Sequence, residues 1–131
     1  MLQCGLMGLK EKVLIIQHSS STPPGTVVEW LKTKKIDFEI FRADQAGQLQ
    51  DWPRVEDLSW LIVLGGGMNV DEETLHPWLA LEKEFIREAI QKGRKVLGLC
   101  LGGQLIAEIL GAKVHRHEQW EVGWHQVEIK N

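Results

Sequence analysis

The sequence predicts an α/β domain: a doubly wound, mostly parallel sheet flanked by helices. Three observations predict it. Short β-branched apolar runs recur without polar alternation, as in strands buried on both faces. Segments with apolar residues at helical spacing alternate with them. Glycine-rich turns fall just after two of the runs, Gly65-Gly66-Gly67 after Leu64 and Gly98 to Gly103 around Cys100. In such sheets ligands bind beyond the carboxyl ends of the strands.

Residues 1–11 read as a loosely packed lead-in, whose short apolar patch, broken by Gly5 and Gly8, makes a poor signal peptide. Lys12 to His18 (KVLIIQH) reads as the first strand, and Ser19 to Gly25 (SSSTPPG) as a loop. Thr26 can cap a helix through Lys34 with Val27, Trp30 and Leu31 on one face. Asp37 to Phe41 alternates and reads as a second strand, whereas Ala43 to Asp57 is polar and irregular. Trp60 to Leu64 is a third, buried strand. From Pro77 to Gln91 the apolar positions Leu79, Leu81, Phe85, Ile86, Ala89 and Ile90 have helical spacing, with Pro77 suited to the first turn and Gly93 to the stop. Lys95 to Leu99 reads as a fourth buried strand, and Gly102 to Leu110 as a helix that follows almost without a gap. Ala112 to His115 and Val122 to Ile129 read as further strands.

With 131 residues, 44% hydrophobic, the chain is long enough for one core, and residues 12–131 form one unit without a linker. A formal net charge of -3 gives no electrostatic case for nucleic acid, and no apolar run is long enough to span a bilayer. Two distant cysteines, Cys4 and Cys100, make no disulfide framework and suit a reducing, cytoplasmic setting. Asp71-Glu72-Glu73 invites a metal reading, but acidic residues ahead of a helix more simply complement its dipole, so no metal or cofactor is assigned.

Gly98-Leu99-Cys100-Leu101-Gly102-Gly103-Gln104 joins a buried strand directly to a helix. A lone cysteine after an apolar strand is more often a buried structural thiol. Glycines two residues to either side change that reading, because they relieve crowding at a sharp strand-to-helix turn that projects a nucleophile. The helix N-terminus favours a negatively charged sulfur, and the Leu101 N–H is free to meet an oxyanion. A phosphate loop fails for want of a Lys-Ser/Thr pair, and the dinucleotide pattern G-x-G-x-x-G is not met.

Gly98-x-Cys100-x-Gly102-x-Gln104 is similar to the signature of class I glutamine amidotransferases. Gly65-Gly66-Gly67-Met68 resembles the family's oxyanion turn, with Gly67 in place of a proline. Glu121-Val122-Gly123-Trp124 looks like the strand after the nucleophile helix. Within the family the chain most resembles stand-alone members related to the amidotransferase part of GMP synthase. The resemblance implies a flavodoxin-like fold lacking its last elements, that is, a C-terminally truncated domain. It also implies that Cys100 attacks the side-chain amide of L-glutamine to form a thioester, releasing ammonia before water releases glutamate. The Gly66 and Leu101 amides would form the oxyanion hole, and Gly67 and Gln104 would bind substrate. Ammonia would pass to a separate accepting enzyme, if any.

Family members take their base from a His-x-Glu pair well after the nucleophile. None of the five histidines stands in that pattern; His18, at a strand end, is the one that could share a rim with Cys100. The chain is therefore expected to be inactive alone. Two alternatives stay open: a catalytically dead fragment or binding module, and a γ-glutamyl peptidase on the same scaffold. PfpI-like hydrolases place a histidine directly after the nucleophile, where this chain has Leu101. A domain lacking its last elements would expose sheet face and edge, so self-association to a homodimer or aggregate, or marginal stability, is expected.

Overall fold

The computed structural model describes residues 11–130. The lead-in expected over residues 1–11 lies almost wholly outside the described residues. Within them, β1 (Lys12–Gln17), α1 (Thr26–Thr33), β2 (Asp37–Arg42), β3 (Trp60–Val63), α2 (Trp78–Gln91), β4 (Lys95–Gly98) and α3 (Leu101–Ile109) follow one another in the expected rhythm. The strands form one four-stranded sheet in the order β2-β1-β3-β4. All three pairings are parallel. This is a doubly wound sheet whose order reverses between β1 and β3, where such folds open a binding crevice.

Side chains along β1 alternate between faces, yet Val13, Leu14, Ile15 and Ile16 are all buried. A strand covered on both faces needs an unbroken apolar run, which is what KVLIIQ supplies. Each such burial contributes about 1.5–3 kcal/mol of transfer free energy. Leu14, Ile16, Leu61 and Val63 pack with Leu79, Phe85, Ile86 and Ala89 of α2 and with Leu101 and Leu105 of α3. On the opposite face Val13, Ile15, Ile62 and Leu64 pack with Leu31 of α1. This second face is only partly covered. β4 is not the buried strand its apolar run predicts: it lies at the edge of the sheet, and Leu97 and Leu99 are 45% and 39% exposed. An open apolar groove of about 540 Å³ runs between α1 and the sheet, lined by Val27, Trp30, Ile62 and Leu97 among others.

Three further sequence expectations are corrected. Thr26 does not cap α1; Gly25 holds that position at φ +52°, which no side chain would tolerate easily. The irregular stretch after β2 condenses into three short 3₁₀ turns, Ala43–Gln45, Leu49–Asp51 and Val55–Asp57, which seat Ala43 and Val55 in the core. The strands expected over 112–115 and 122–129 do not form. Val122, Trp124, Val127 and Ile129 stand fully in solvent, at 84% exposure or more. Strand propensity is realised only against a neighbouring strand, and among the described residues neither stretch has one.

Candidate active site

Three strand ends meet at one rim. β1 and β3 pair through Ile16 and Val63. Two residues further along each chain, His18 and Gly65 are neighbours. β4 pairs with β3 through Gly98 and Val63, so the turn after Gly98 stands beside the turn after Leu64.

Cys100 sits between β4 and α3 at φ 53°, ψ -112°. A non-glycine residue there carries strain on the order of 1–3 kcal/mol, and only its surroundings can enforce it. The ladder bond from Leu99 N to Val63 O (2.9 Å) carries the chain straight into the turn, where Gly102 N to Leu99 O (3.0 Å) and Gln104 N to Cys100 O (3.1 Å) close it. The flanking glycines permit this path. A Cβ on Gly98 would lie 2.5 Å from the Gly102 carbonyl carbon, and one on Gly102 2.1 Å from the Val63 carbonyl oxygen. Cys100 is left exposed and unpaired. Leu101 is the first residue of α3, where a backbone N–H has no partner inside the helix.

The glycine turn lies against this elbow. A Cβ on Gly65 would stand 3.3 Å from the Cys100 Cβ and 3.9 Å from its Sγ. A Cβ on Gly66 would stand 3.0 Å from Leu101 Cδ2 and 3.3 Å from His18 Cβ. Cys100, Gly66 and Leu101 are thus brought together. Gly67 has open space around it, and Gln104 is exposed one turn along α3.

His18 shares this rim but is not free to serve Cys100. It is fully buried, with Nδ1 3.0 Å from the Gly65 carbonyl oxygen and Nε2 2.7 Å from Glu82 Oε1. Trp78 stacks on its ring at 5.6 Å between centroids. Burial disfavours the imidazolium, but the Glu82 hydrogen bond and charge, with the Gly65 carbonyl, outweigh it and raise the His18 pKa. Burial also raises the Glu82 pKa, against the opposing pull of His18. Both groups therefore hold a proton more tightly than they would in water. His76 precedes α2, while His115, His117 and His125 lie in the exposed final stretch.

Sequence reasoning missed Glu82. Its signal was present: between Leu79 and Phe85 it occupies the buried stripe of α2, a position where a carboxylate needs a partner. Lys83 ties α2 to α3 through Glu108 at 2.8 Å and to the loop ahead of α2 through Glu73 at 2.5 Å. Of the other acidic residues before α2, Glu72 accepts from the Asn69 N–H and side-chain amide, both at 2.9 Å. Among the described residues no group of three or more His, Cys, Asp or Glu is placed to hold a metal, and no helix is long and apolar enough to cross a membrane.

The sequence model of the class I glutamine amidotransferase family matches residues 25–131. The chain belongs to that family. It is 28% identical to glutamine amidotransferase-like protein YfeJ of Salmonella typhimurium over 121 residues, 90% of this chain and 50% of that one. A glutamine amidotransferase from Thermotoga maritima superposes with a TM-score of 0.77 at 31% identity, over 83% of this chain and 46% of the other. One from Methylobacillus flagellatus gives a TM-score of 0.77 at 34% identity, over 88% and 44%. This class I amidotransferase chain spans about half the length of the relatives it matches.

Proposed function

We propose that this chain carries the nucleophile half of a glutamine-hydrolysing site. The observation that carries the reading is the strained elbow: Cys100 at φ 53°, exposed, with Gly65 against its sulfur and the first N–H of α3 beside it. Cys100 Sγ attacks the side-chain amide carbon of glutamine, and the Gly66 and Leu101 N–H groups receive the carbonyl oxygen as it becomes an oxyanion. Collapse of that intermediate expels ammonia and leaves a glutamyl thioester, which water cleaves to glutamate. Gly67 and Gln104 border the approach and bind the substrate. Where a base completes the site, the ammonia would go to a separate accepting enzyme, if there is one.

The attack needs a base to take the thiol proton and an acid to protonate the leaving amine. Both His18 ring nitrogens are engaged elsewhere. On this reading the described residues supply the nucleophile and the oxyanion donors, and His18 is not the proton shuttle. The expected behaviour is covalent capture of glutamine analogues without steady turnover. Intact mass after diazo-oxo-norleucine tests it: one adduct on wild type and none on Cys100→Ala supports the reading, and no adduct on either overturns it. Glutamate release that disappears in Cys100→Ala would show that a base is present after all.

A further inference from the structure

We infer that His18, backed by Glu82, is a positioning residue for the oxyanion turn: by gripping the Gly65 carbonyl it fixes the plane of the Gly65–Gly66 peptide, and with it the direction of the Gly66 N–H. The inference rests on the reading of Gly66 as an oxyanion donor.

The argument begins with the peptide unit. The Gly65 carbonyl and the Gly66 N–H belong to one planar trans group, in which C=O and N–H point in opposite directions. Anchoring the oxygen on one side therefore aims the N–H to the other. A glycine turn has no side chains to hold it and would otherwise sample many peptide orientations. Here the anchor is a ring nitrogen 3.0 Å from the oxygen. A carbonyl can only accept, so Nδ1 carries the proton. Accepting that bond also polarises the peptide and makes the Gly66 N–H a stronger donor.

The second half of the device holds the ring. Glu82 Oε1 sits 2.7 Å from Nε2, and Trp78 stacks on the ring face, so the imidazole has no freedom to rotate. Both polar side chains are fully buried. A buried pair of this kind is often no more stabilising than apolar residues of the same volume. Its use lies in what it orients, and that is the peptide that abuts Cys100.

The test uses the whole chain, ¹⁵N-glycine labelled, as wild type, His18→Leu/Glu82→Leu and His18→Asn. The double leucine variant removes both buried polar groups together, and the asparagine returns an N–H donor near the Nδ1 position. The first readout is the Gly66 amide resonance and its hydrogen exchange. The second is the rate of Cys100 alkylation by a glutamine-derived chloromethyl ketone, with iodoacetamide as a reagent that needs no oxyanion hole. The Gly66 resonance is expected to move and its exchange to quicken in the leucine variant, and to return toward wild type in His18→Asn. The ketone rate is expected to fall about tenfold in the leucine variant with partial recovery in His18→Asn, less than the loss of a whole oxyanion donor, while the iodoacetamide rate stays within about twofold. An unmoved Gly66 resonance, or ketone and iodoacetamide rates that fall together, overturns the inference. Should wild type fail to react with the ketone while Gly66 responds to His18, the glutamine reading fails and the positioning of the peptide stands.

Discussion

Gly102 lies against Val63 so closely that a Cβ on it would stand 2.1 Å from the Val63 carbonyl oxygen. The obstacle is backbone in the central part of the sheet and cannot swing aside. Gly102→Ala is therefore expected to cost at least the roughly 1–3 kcal/mol typical of overpacking, because the elbow and α3 must move together. Gly98→Ala is expected to behave alike, since its Cβ would meet backbone of Gly102 and Gly103 at 2.5–2.6 Å. Gly103→Ala is the contrast. Its nearest neighbour would be the Gly98 carbonyl oxygen at 3.5 Å, an ordinary contact. Inside a helix the alanine is worth up to about 1 kcal/mol over glycine. Urea midpoints of the three variants should thus separate, two well below wild type and one at or above it.

Strain at the nucleophile gives a prediction of opposite sign. Cys100 at φ 53° is held where glycine is comfortable and other residues are not. Cys100→Gly should release the strain, offset in part by glycine's greater freedom in the unfolded chain, for a net gain of about 1 kcal/mol. Cys100→Ala keeps a Cβ and should gain little. Thermal melts comparing the two isolate the backbone contribution, and both variants should lose every Cys100 adduct. Equal melting temperatures for the two would mean that the turn relaxes without cost.

Much of this was legible in the sequence, and the reasons are specific. β1 and β3 announced themselves because strands buried on both faces must be apolar throughout, and the elbow because its glycines at 98 and 102 answer to close backbone contacts. The final stretch misled for a physical reason: Val122, Trp124, Val127 and Ile129 have strand character, but strand character becomes a strand only beside a partner. The His18–Glu82 pair was hidden by distance, since 64 residues separate its members and only the packing of α2 on the sheet brings them within 2.7 Å. Sequence spacing places His18 at the correct rim; it does not say which way the ring nitrogens are committed.

That pair predicts the pH dependence of stability. Folding raises the pKa of His18, the pull of Glu82 outweighing burial, and burial raises that of Glu82. A raised folded value means that the native state binds protons more tightly than the unfolded chain. The His18 contribution is complete below the ordinary histidine value of 6.5 and is lost as pH climbs through the raised one; the Glu82 contribution is complete below 4.5 and wanes above it. Both push in one direction, so the pair makes the protein less stable as pH rises. Asp44 and Glu72, whose pKa values are lowered by hydrogen bonds from Arg42 and Asn69, push the other way under acid. Comparing urea unfolding of wild type and His18→Leu/Glu82→Leu between pH 5 and pH 9 removes that background. The stability of wild type relative to the variant should fall as pH rises, whichever of the two is the more stable, and a flat difference would show that the pair does not titrate as described.

The partly covered sheet face predicts self-association. Leu97 and Leu99 are exposed at the β4 edge, and Trp30 of α1, 56% exposed, borders the same apolar groove. Apolar surface of this kind, on a strand edge that has no partner among the described residues, favours contact between copies. The chain is expected to sediment as a dimer or larger species at tens of micromolar, with an apparent mass that falls on dilution. Trp30→Gln combined with Leu97→Gln should shift the distribution toward monomer. Neither side chain belongs to the fully buried core, so the loss of stability should stay within about 1 kcal/mol. A wild-type chain that remains monomeric over that range and melts cooperatively would mean that the open face is tolerated in water, and that the two substitutions have nothing to relieve.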